Sequence, residues 1–173
     1  MLEAAILVIF PFCMLFAAVS DAVSMTIANR VSIILVAAFA VIAPMTGMEW
    51  ATYGWHFAAG GIVLAVTFTI FAIGGMGGGD AKLLTATAVW LGFNIILLQY
   101  LVLGAMLGGL LTILLIAFRN SPASVLSANH VLLRHFADPK AGIPYGVALG
   151  VAGLMTYPQT ELVRWALARI AGG

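Results

Sequence analysis

Two carboxylates are the residues of this sequence with the clearest potential for chemistry. Asp21 follows the first apolar run, and Asp80 lies in the glycine-rich stretch Gly74–Lys82 between two long apolar runs. A charge at the centre of a membrane helix costs about 2.5–3.5 kcal/mol on insertion scales, so a carboxylate beside apolar segments needs polar surroundings. Glycine allows non-helical backbone, which membrane proteins tolerate only inside protein or along a watery cavity. We therefore expect a hydrated cavity that Asp80 faces.

A pair of carboxylates at one depth has the chemistry of general acid–base catalysis. Like charges held close do not both ionise cheaply, so such a pair shares one proton. The ionised member draws a proton from water, while the protonated member donates to the carbonyl oxygen of a peptide bond. In the alternative interpretation Asp21 caps a helix or pairs with Arg30, and Asp80 pairs with Lys82. Chemistry and depth leave both interpretations open.

The composition predicts an all-α, polytopic membrane protein. Of 173 residues, 64% are hydrophobic and 8% are charged, and the mean hydropathy is +1.16; an ordinary globular domain is about 25% charged. At about 20 residues per span, residues 1–173 hold about six transmembrane helices in a single domain. A net charge of +1 argues against nucleic acid as a partner and leaves membrane lipid as the expected surroundings. Cys13 is the only cysteine, and no zinc-ligand or redox spacing is found, so we expect no metal and no cofactor.

The apolar runs predict where the spans lie. They are Leu2–Val19, Val31–Ala43, Phe57–Ile73, two spans within Lys82–Phe118 that separate between Gly92 and Tyr100, and Ile143–Met155. The aromatic segment from Glu49 to His56 is typical of an interfacial loop. The tail from Gln159 to Ile170 carries an apolar face and predicts an interfacial amphipathic helix.

The loop charges predict the orientation. Six spans place five basic residues on one side, namely Arg30, Lys82, Arg119, Arg134 and Lys140. Arg164 and Arg169 fall on the other side, so the first side is cytoplasmic by the positive-inside rule. Asp21 and Asp80 then share the cytoplasmic level of the membrane, whereas Glu49 faces outward.

Three motifs resemble those of the type IV prepilin peptidases. Gly77-Gly78-Gly79-Asp80 fits Gly-x-Gly-Asp and continues with Ala81-Lys82-Leu83 as in that family. Asp21 is followed by Ile27-Ala28-Asn29, where the family has Ile-Pro-Asn, and Pro144-Tyr145-Gly146 matches its Pro-Tyr-Gly element. The replacement of the proline by Ala28 puts in doubt only the shape of the first loop.

The resemblance implies an intramembrane aspartyl protease of the plasma (inner) membrane with a Gly-x-Gly-Asp core. Such an enzyme removes the leader peptide of prepilins or pilin-like precursors at the cytoplasmic face, with Asp21 and Asp80 as the catalytic pair. The motif residues that would support the pair are Gly77, Gly79, Lys82, Asn29, Pro144, Tyr145 and Gly146. The chain lacks the cysteine-rich insertion of longer members and resembles the short form of tight-adherence (Flp) pili and archaeal flagellin-like precursors. The alternative is a transporter or assembly subunit that uses the two aspartates as a proton relay.

Two further expectations concern glycine. We expect Gly77 and Gly79 to tolerate substitution less than Gly74 or Gly75, because a positive φ is costly without glycine. The pairs Gly104/Gly108 and Gly146/Gly150 have the four-residue spacing of small-residue helix packing.

Overall fold

The described residues of the computed structural model, 1–122, 136 and 142–172, form helices and connecting turns, with no strand among them. The helices are α1 (Leu2–Ser24), α2 (Asn29–Met45), α3 (Trp50–Ala72), α4 (Gly78–Leu91), α5 (Ile95–Arg119), α6 (Tyr145–Thr156) and α7 (Glu161–Ala171). A 3₁₀ turn, Tyr157–Gln159, joins α6 to α7. The all-α prediction is confirmed. The basic residues predicted at 134 and 140 lie outside the described residues.

Three helices, α1, α3 and α5, are long and apolar enough to cross a membrane. Their 23 to 25 residues rise about 35 Å or more, compared with a hydrocarbon core of about 30 Å. The helix α2 is apolar but shorter, and α4 and α6 have only 14 and 12 residues. The chain is therefore a helical membrane protein, and the number of six spans stays a prediction.

The short helix α4 lies at the centre of the fold. It packs against α2, α3 and α6, and most of its side chains are buried. It ends at Gly92, whose φ of 75° suits glycine, and α5 begins after Asn94. The side chain of Asn94 caps α5 by accepting hydrogen bonds from Ile96 N at 2.8 Å and Leu97 N at 3.4 Å. The predicted break between the fourth and fifth spans lies at this turn.

The aromatic segment expected as a loop belongs instead to the first two turns of α3, so the loop prediction is wrong, while its interfacial position stays a prediction. Two side chains of this segment bond to neighbouring helices. His56 Nδ1 lies 2.8 Å from Val89 O of α4, and Tyr53 OH donates to Ala40 O of α2 at 3.2 Å. Because of these tertiary contacts the segment is helical, although its aromatic composition alone indicates a loop at an interface.

An aromatic cluster fills the bundle at the level where α4 ends. Its members come from α1, α2, α4 and the turn after α6: Phe10, Phe39, Trp90 and Tyr157. Phe10 stacks on Tyr157 with ring centroids 4.1 Å apart, and Trp90 lies 5.5 Å from Phe10 and 5.8 Å from Phe39. The polar atoms also find partners, since Trp90 Nε1 donates to Leu35 O and Tyr157 OH to Ile6 O, both at 2.7 Å.

The helix α7 lies across the same end of the bundle as the chain start. Leu162, Val163 and Ala166 are buried, as the predicted amphipathic face requires. Arg169 Nε is 3.6 Å from Glu3 Oε1 of α1. Asp21 lies in the last turn of α1, at the opposite end of the bundle.

Candidate active site

Asp21 is held by the start of α6. Its side chain is buried, with 6% of the residue exposed, and Gly146 N donates to its Oδ2 at 2.7 Å. Gly146 is the second residue of α6, where the backbone N–H has no partner within the helix and the helix dipole is positive. Both features favour a carboxylate at this position. Asp21 Oδ1 hydrogen-bonds to no described residue and so remains available for water or substrate.

Glycines on α6 let α1 approach closely enough for this bond. A β-carbon at Gly146 would lie 2.9 Å from both Cβ and Oδ2 of Asp21, and one at Gly150 would lie 2.8 Å from Met14 O. A β-carbon at Gly153 would meet Met14 Sδ at 2.9 Å. The four-residue glycine spacing noted in the sequence is thus a close packing surface, and it also positions Asp21.

Asp80 occupies the first turn of α4 and is partly buried. The turn before it is short because Gly74 adopts a φ of 79° and reverses the chain after α3. The Asp80 side chain folds back over Gly77, so that a β-carbon at Gly77 would lie 2.8 Å from Asp80 Oδ2. The N-terminal position on α4 favours the charged form of the carboxylate through the helix dipole.

The reason expected for the intolerance of Gly77 and Gly79 is wrong. Gly77 has φ −69°, Gly79 has no positive φ either, and the left-handed conformation occurs at Gly74. The two glycines instead matter because of their neighbours. A β-carbon at Gly77 would strike the Asp80 carboxylate, and one at Gly79 would lie 3.2 Å from Ile27 Cβ.

Ile27 lies between the two halves of the site. A β-carbon at Gly79, next to Asp80 in sequence, would contact Ile27, and so would one at Gly146, the donor to Asp21. Asp21 and the start of α4 that carries Asp80 therefore lie on either side of the same Ile27 side chain. Sequence reasoning quoted Ile27 as part of a motif but did not identify it as this spacer.

Neither aspartate is neutralised by a cation. Within the described residues no Lys, Arg or His nitrogen lies within 4.0 Å of Asp21 or Asp80, so the ion pairs with Arg30 and Lys82 of the alternative interpretation are not formed. Lys82 Nζ instead donates to Asn29 Oδ1 at 2.8 Å, and the bond joins the start of α4 to the start of α2.

The Pro-Tyr-Gly element forms the start of α6. Pro144 is buried at the N-cap position, and Gly146 supplies the hydrogen bond to Asp21. The ring of Tyr145 lies directly against Gly108 of α5, where a β-carbon would overlap it. The structure thus brings Asp21, Gly146 and Asp80 together, and Tyr145 anchors this region to α5.

The first loop keeps the shape that a proline would impose. Ala28 is the N-cap of α2 with φ −65° and ψ 131°, and proline fixes φ near −65°. The departure from Ile-Pro-Asn therefore leaves the backbone of the motif in place at Ala28.

The arrangement supports acid–base chemistry by two carboxylates at one end of the bundle, Asp21 at the end of α1 against the start of α6 and Asp80 at the start of α4. In the part of the chain that the structure describes, no group of three or more His, Cys, Asp or Glu side chains is placed to hold a metal ion. His130 and His135 lie outside the described residues.

Comparison with known proteins gives one match. The model of the type IV leader peptidase family matches residues 8–118, a range that includes Asp21 and Asp80 and more than half of the 173 residues. The Pro144–Gly146 element lies beyond the matched range. No curated protein and no solved structure gives a significant match.

Proposed function

The chain belongs to the type IV leader peptidase family, and we propose on that premise that it is an aspartic endopeptidase that uses Asp21 and Asp80 as one catalytic pair. One observation carries the proposal. Two carboxylates that are 80 − 21 = 59 residues apart in sequence lie at one end of the bundle on either side of Ile27, and no cation of the described residues lies within 4.0 Å of either. Asp21 does cap the start of α6 through Gly146 N, as the alternative interpretation expects, but within the described part of the chain neither acid has the cation that would offset an unpaired charge in this setting.

In the proposed reaction the pair shares one proton. The ionised carboxylate accepts a proton from a water molecule as the water oxygen bonds to the scissile carbonyl carbon. The protonated carboxylic acid donates its proton to the carbonyl oxygen, which gives a neutral tetrahedral intermediate. As the carbon–nitrogen bond breaks, the amine takes a proton from the carboxylic acid formed in the first step. The carboxylate of the other member regains the hydroxyl proton, which restores the starting state of the pair.

The chain contributes placement as well as protons. The N–H of Gly146 fixes one oxygen of Asp21. In the turn Gly74–Gly77 every residue except Met76 is a glycine. The backbone of this turn beside Asp80 is therefore uncovered and offers room and hydrogen-bonding groups to an extended peptide. Extended substrate is needed because the peptide bonds of a helix are covered by its own backbone.

The proposed substrate is the leader segment of a prepilin or pilin-like precursor, which is the substrate that the family resemblance implies. The proposed location is the inner (plasma) membrane, with six spans and the two aspartates at the cytoplasmic face. The basic residues Arg30 and Lys82 at the end of the bundle that holds Asp21 support this orientation.

Cysteine labelling tests the orientation. After Cys13 is replaced, Glu49→Cys should react with a membrane-impermeant thiol reagent in intact cells, and Asn120→Cys should react only after the cells are opened. The reverse pattern would contradict the orientation while leaving the catalytic pair untested by that measurement.

The decisive experiment is the processing of a co-expressed prepilin, followed by N-terminal sequencing. Asp21→Asn and Asp80→Asn keep size and most hydrogen bonding but remove the ionisable group. Each should abolish cleavage, and the double variant should be no worse, because residues that act as a unit are not additive. Asp138→Asn, in the predicted cytoplasmic loop, is the matched control and should cleave normally.

Near wild-type processing by Asp21→Asn would refute the pair. If no precursor is cleaved by the wild type, but the protein reconstituted in vesicles moves protons in a way that needs both aspartates, the proton-relay alternative is correct instead.

A further inference from the structure

A groove runs along the outside of the bundle on the side of α4 away from Asp21. The helices α2 and α3 both pack on α4 but make few contacts with each other, and between them they leave a space of about 590 Å³. Its floor includes Ala86, and its walls include Ala37 and Leu64. Small and apolar lining of this kind suits a hydrocarbon chain.

One end of the groove is polar. Asn29 and Ser32 from the first turn of α2 meet Lys82 and Thr85 from the start of α4. This is the end of the bundle at which Asp21 and Asp80 lie. The remaining lining residues, toward the other end, are apolar.

Among the described residues, Lys82 is the only charged one that lines the groove. Its ammonium has three donors, and the hydrogen bond to Asn29 Oδ1 uses one of them. That bond also holds the ammonium over the start of α2, which no side chain of the described residues caps. A fixed cation next to an uncapped helix start favours an anion, because the charge and the helix dipole act in the same direction.

Ser32 adds an unsatisfied hydroxyl to this end. Its Oγ is buried and has no hydrogen-bond partner in the described part of the chain. If an oxygen-rich group occupied the polar end of the groove, rotation of the Ser32 side chain about χ1 would let its hydroxyl donate a hydrogen bond to that group. A buried hydroxyl without a partner is destabilising, so such a group would stabilise the structure.

We propose that this groove is a binding site for an anionic phospholipid, with one acyl chain along Ala37, Leu64 and Ala86 and the phosphate at Lys82 and the start of α2. The Lys82 ammonium favours a phosphate and a lipid with net negative charge, and the apolar part of the groove favours an acyl chain. The site lies beside the catalytic pair and uses Lys82 and Asn29, which the motifs also assign to the support of that pair, but lipid binding does not depend on the proposed reaction.

A second groove makes the assignment specific. The groove between α1 and α2 also carries a single cation, Arg30, but its other lining residues are apolar. It therefore lacks the hydrogen-bonded cation and the hydroxyl that fix a headgroup. Arg30→Gln is the matched charge control for Lys82→Gln.

Native mass spectrometry of the full chain in detergent, titrated with dioleoyl phosphatidylglycerol or dioleoyl phosphatidylcholine, measures binding directly. The wild type should retain one phosphatidylglycerol more tightly than phosphatidylcholine. Lys82→Gln should weaken phosphatidylglycerol binding about fivefold to tenfold, as expected for a charge-assisted contact, and Arg30→Gln should not. Ala37→Phe fills the groove from an exposed position and should weaken both lipids. Ala105→Phe, at an exposed position of α5, is its size control.

Several outcomes would overturn the site. Equal binding by Lys82→Gln and the wild type means that only annular lipid is retained. Loss in Arg30→Gln alone assigns the lipid to the other groove. Unchanged binding in Ala37→Phe excludes the groove even if Lys82→Gln fails to fold. Displacement of the lipid by a synthetic Leu-Ala transmembrane peptide would show that the groove takes a helix, and competition by glycerol phosphate would show that the acyl chain is not needed.

Discussion

Gly146→Ala tests whether the distance between α6 and Asp21 controls catalysis. The added β-carbon would lie 2.9 Å from Asp21 Cβ and Oδ2 and 2.7 Å from Ile27 Cδ1, whereas ordinary contacts begin at 3.4 Å. An ordinary contact therefore requires the Asp21 side chain and α6 to separate by 3.4 − 2.9 = 0.5 Å, and this separation lengthens or tilts the hydrogen bond to the N–H at position 146.

The expected effect follows from that displacement. A misplacement of about 1 Å at a catalytic group can cost about 10²-fold in rate, so a shift of half that size or more should lower kcat about 10- to 100-fold. Overpacking costs about 1–3 kcal/mol, and alanine regains about 0.5–1 kcal/mol over glycine inside a helix. The free energy of unfolding should therefore fall by no more than about 2.5 kcal/mol, and the protein should still accumulate in membranes.

The assay is cleavage of a purified precursor in detergent micelles, with kcat and KM separated and Tm measured for each variant. Gly150→Ala is the comparison in the same interface, since its β-carbon meets Met14 O at 2.8 Å, about two turns before Asp21 along α1. It should lower Tm but affect kcat less. Gly109→Ala has open space and should leave both unchanged or raise Tm slightly. If Gly146→Ala kept full kcat, or lost it only in proportion to folded protein, the positioning role of this helix start would be refuted.

The other variants test the second half of the site and the first loop. Gly77→Ala should lower kcat more than Gly79→Ala, because the first methyl meets the Asp80 carboxylate at 2.8 Å and the second meets Ile27 at 3.2 Å; equal effects in the cleavage assay would contradict this ranking. Ala28→Pro should cleave normally and raise the free energy of unfolding by about 0.4–1 kcal/mol, because φ is already −65°, and a lower Tm would show that the loop has another shape. The rate should be highest where the pair holds one proton and should fall on both sides of that pH; a rate that rises steadily with pH would argue for a single carboxylate base.

The sequence selects candidate site residues more readily than it predicts their geometry. The positions of Asp21 and Asp80 beside apolar runs left two interpretations open, and the family-like motifs around them, including Pro144-Tyr145-Gly146, led to the prediction of a catalytic pair. The hydrogen bond from Gly146 N to Asp21 was not predictable, because every residue except proline has a backbone N–H and the residue type does not show which one donates. A small residue that allows close approach is the only trace of such a bond in the sequence. The four-residue glycine spacing was the available signal, and it indicated packing rather than a ligand.

The helix boundaries failed where tertiary contacts decide them. The start of α3 was misjudged because His56 and Tyr53, which are typical of an interface, bond here to carbonyl groups of α4 and α2. The turn between α4 and α5 was located correctly, since Gly92 and Asn94 act through local backbone chemistry. The glycine expectation failed because the sequence contains five glycines in the turn and does not say which one reverses the chain.

The aromatic cluster of Phe10, Phe39, Trp90 and Tyr157 has a consequence for the electrical insulation of the cell. Beyond this cluster, at the end of the bundle that holds α7, a cavity of about 210 Å³ is lined by polar groups that include His56, Asn94 and Glu161. A hydrated site at one end and a polar cavity at the other would together shorten the barrier to proton leakage. Four large rings lie between the two, and the indole and phenol polar atoms of Trp90 and Tyr157 are already bonded to backbone carbonyls, so the cluster itself offers no free donor to a moving proton. The cluster would therefore act as an apolar plug that keeps the aspartate end of the bundle apart from the polar cavity at the other end.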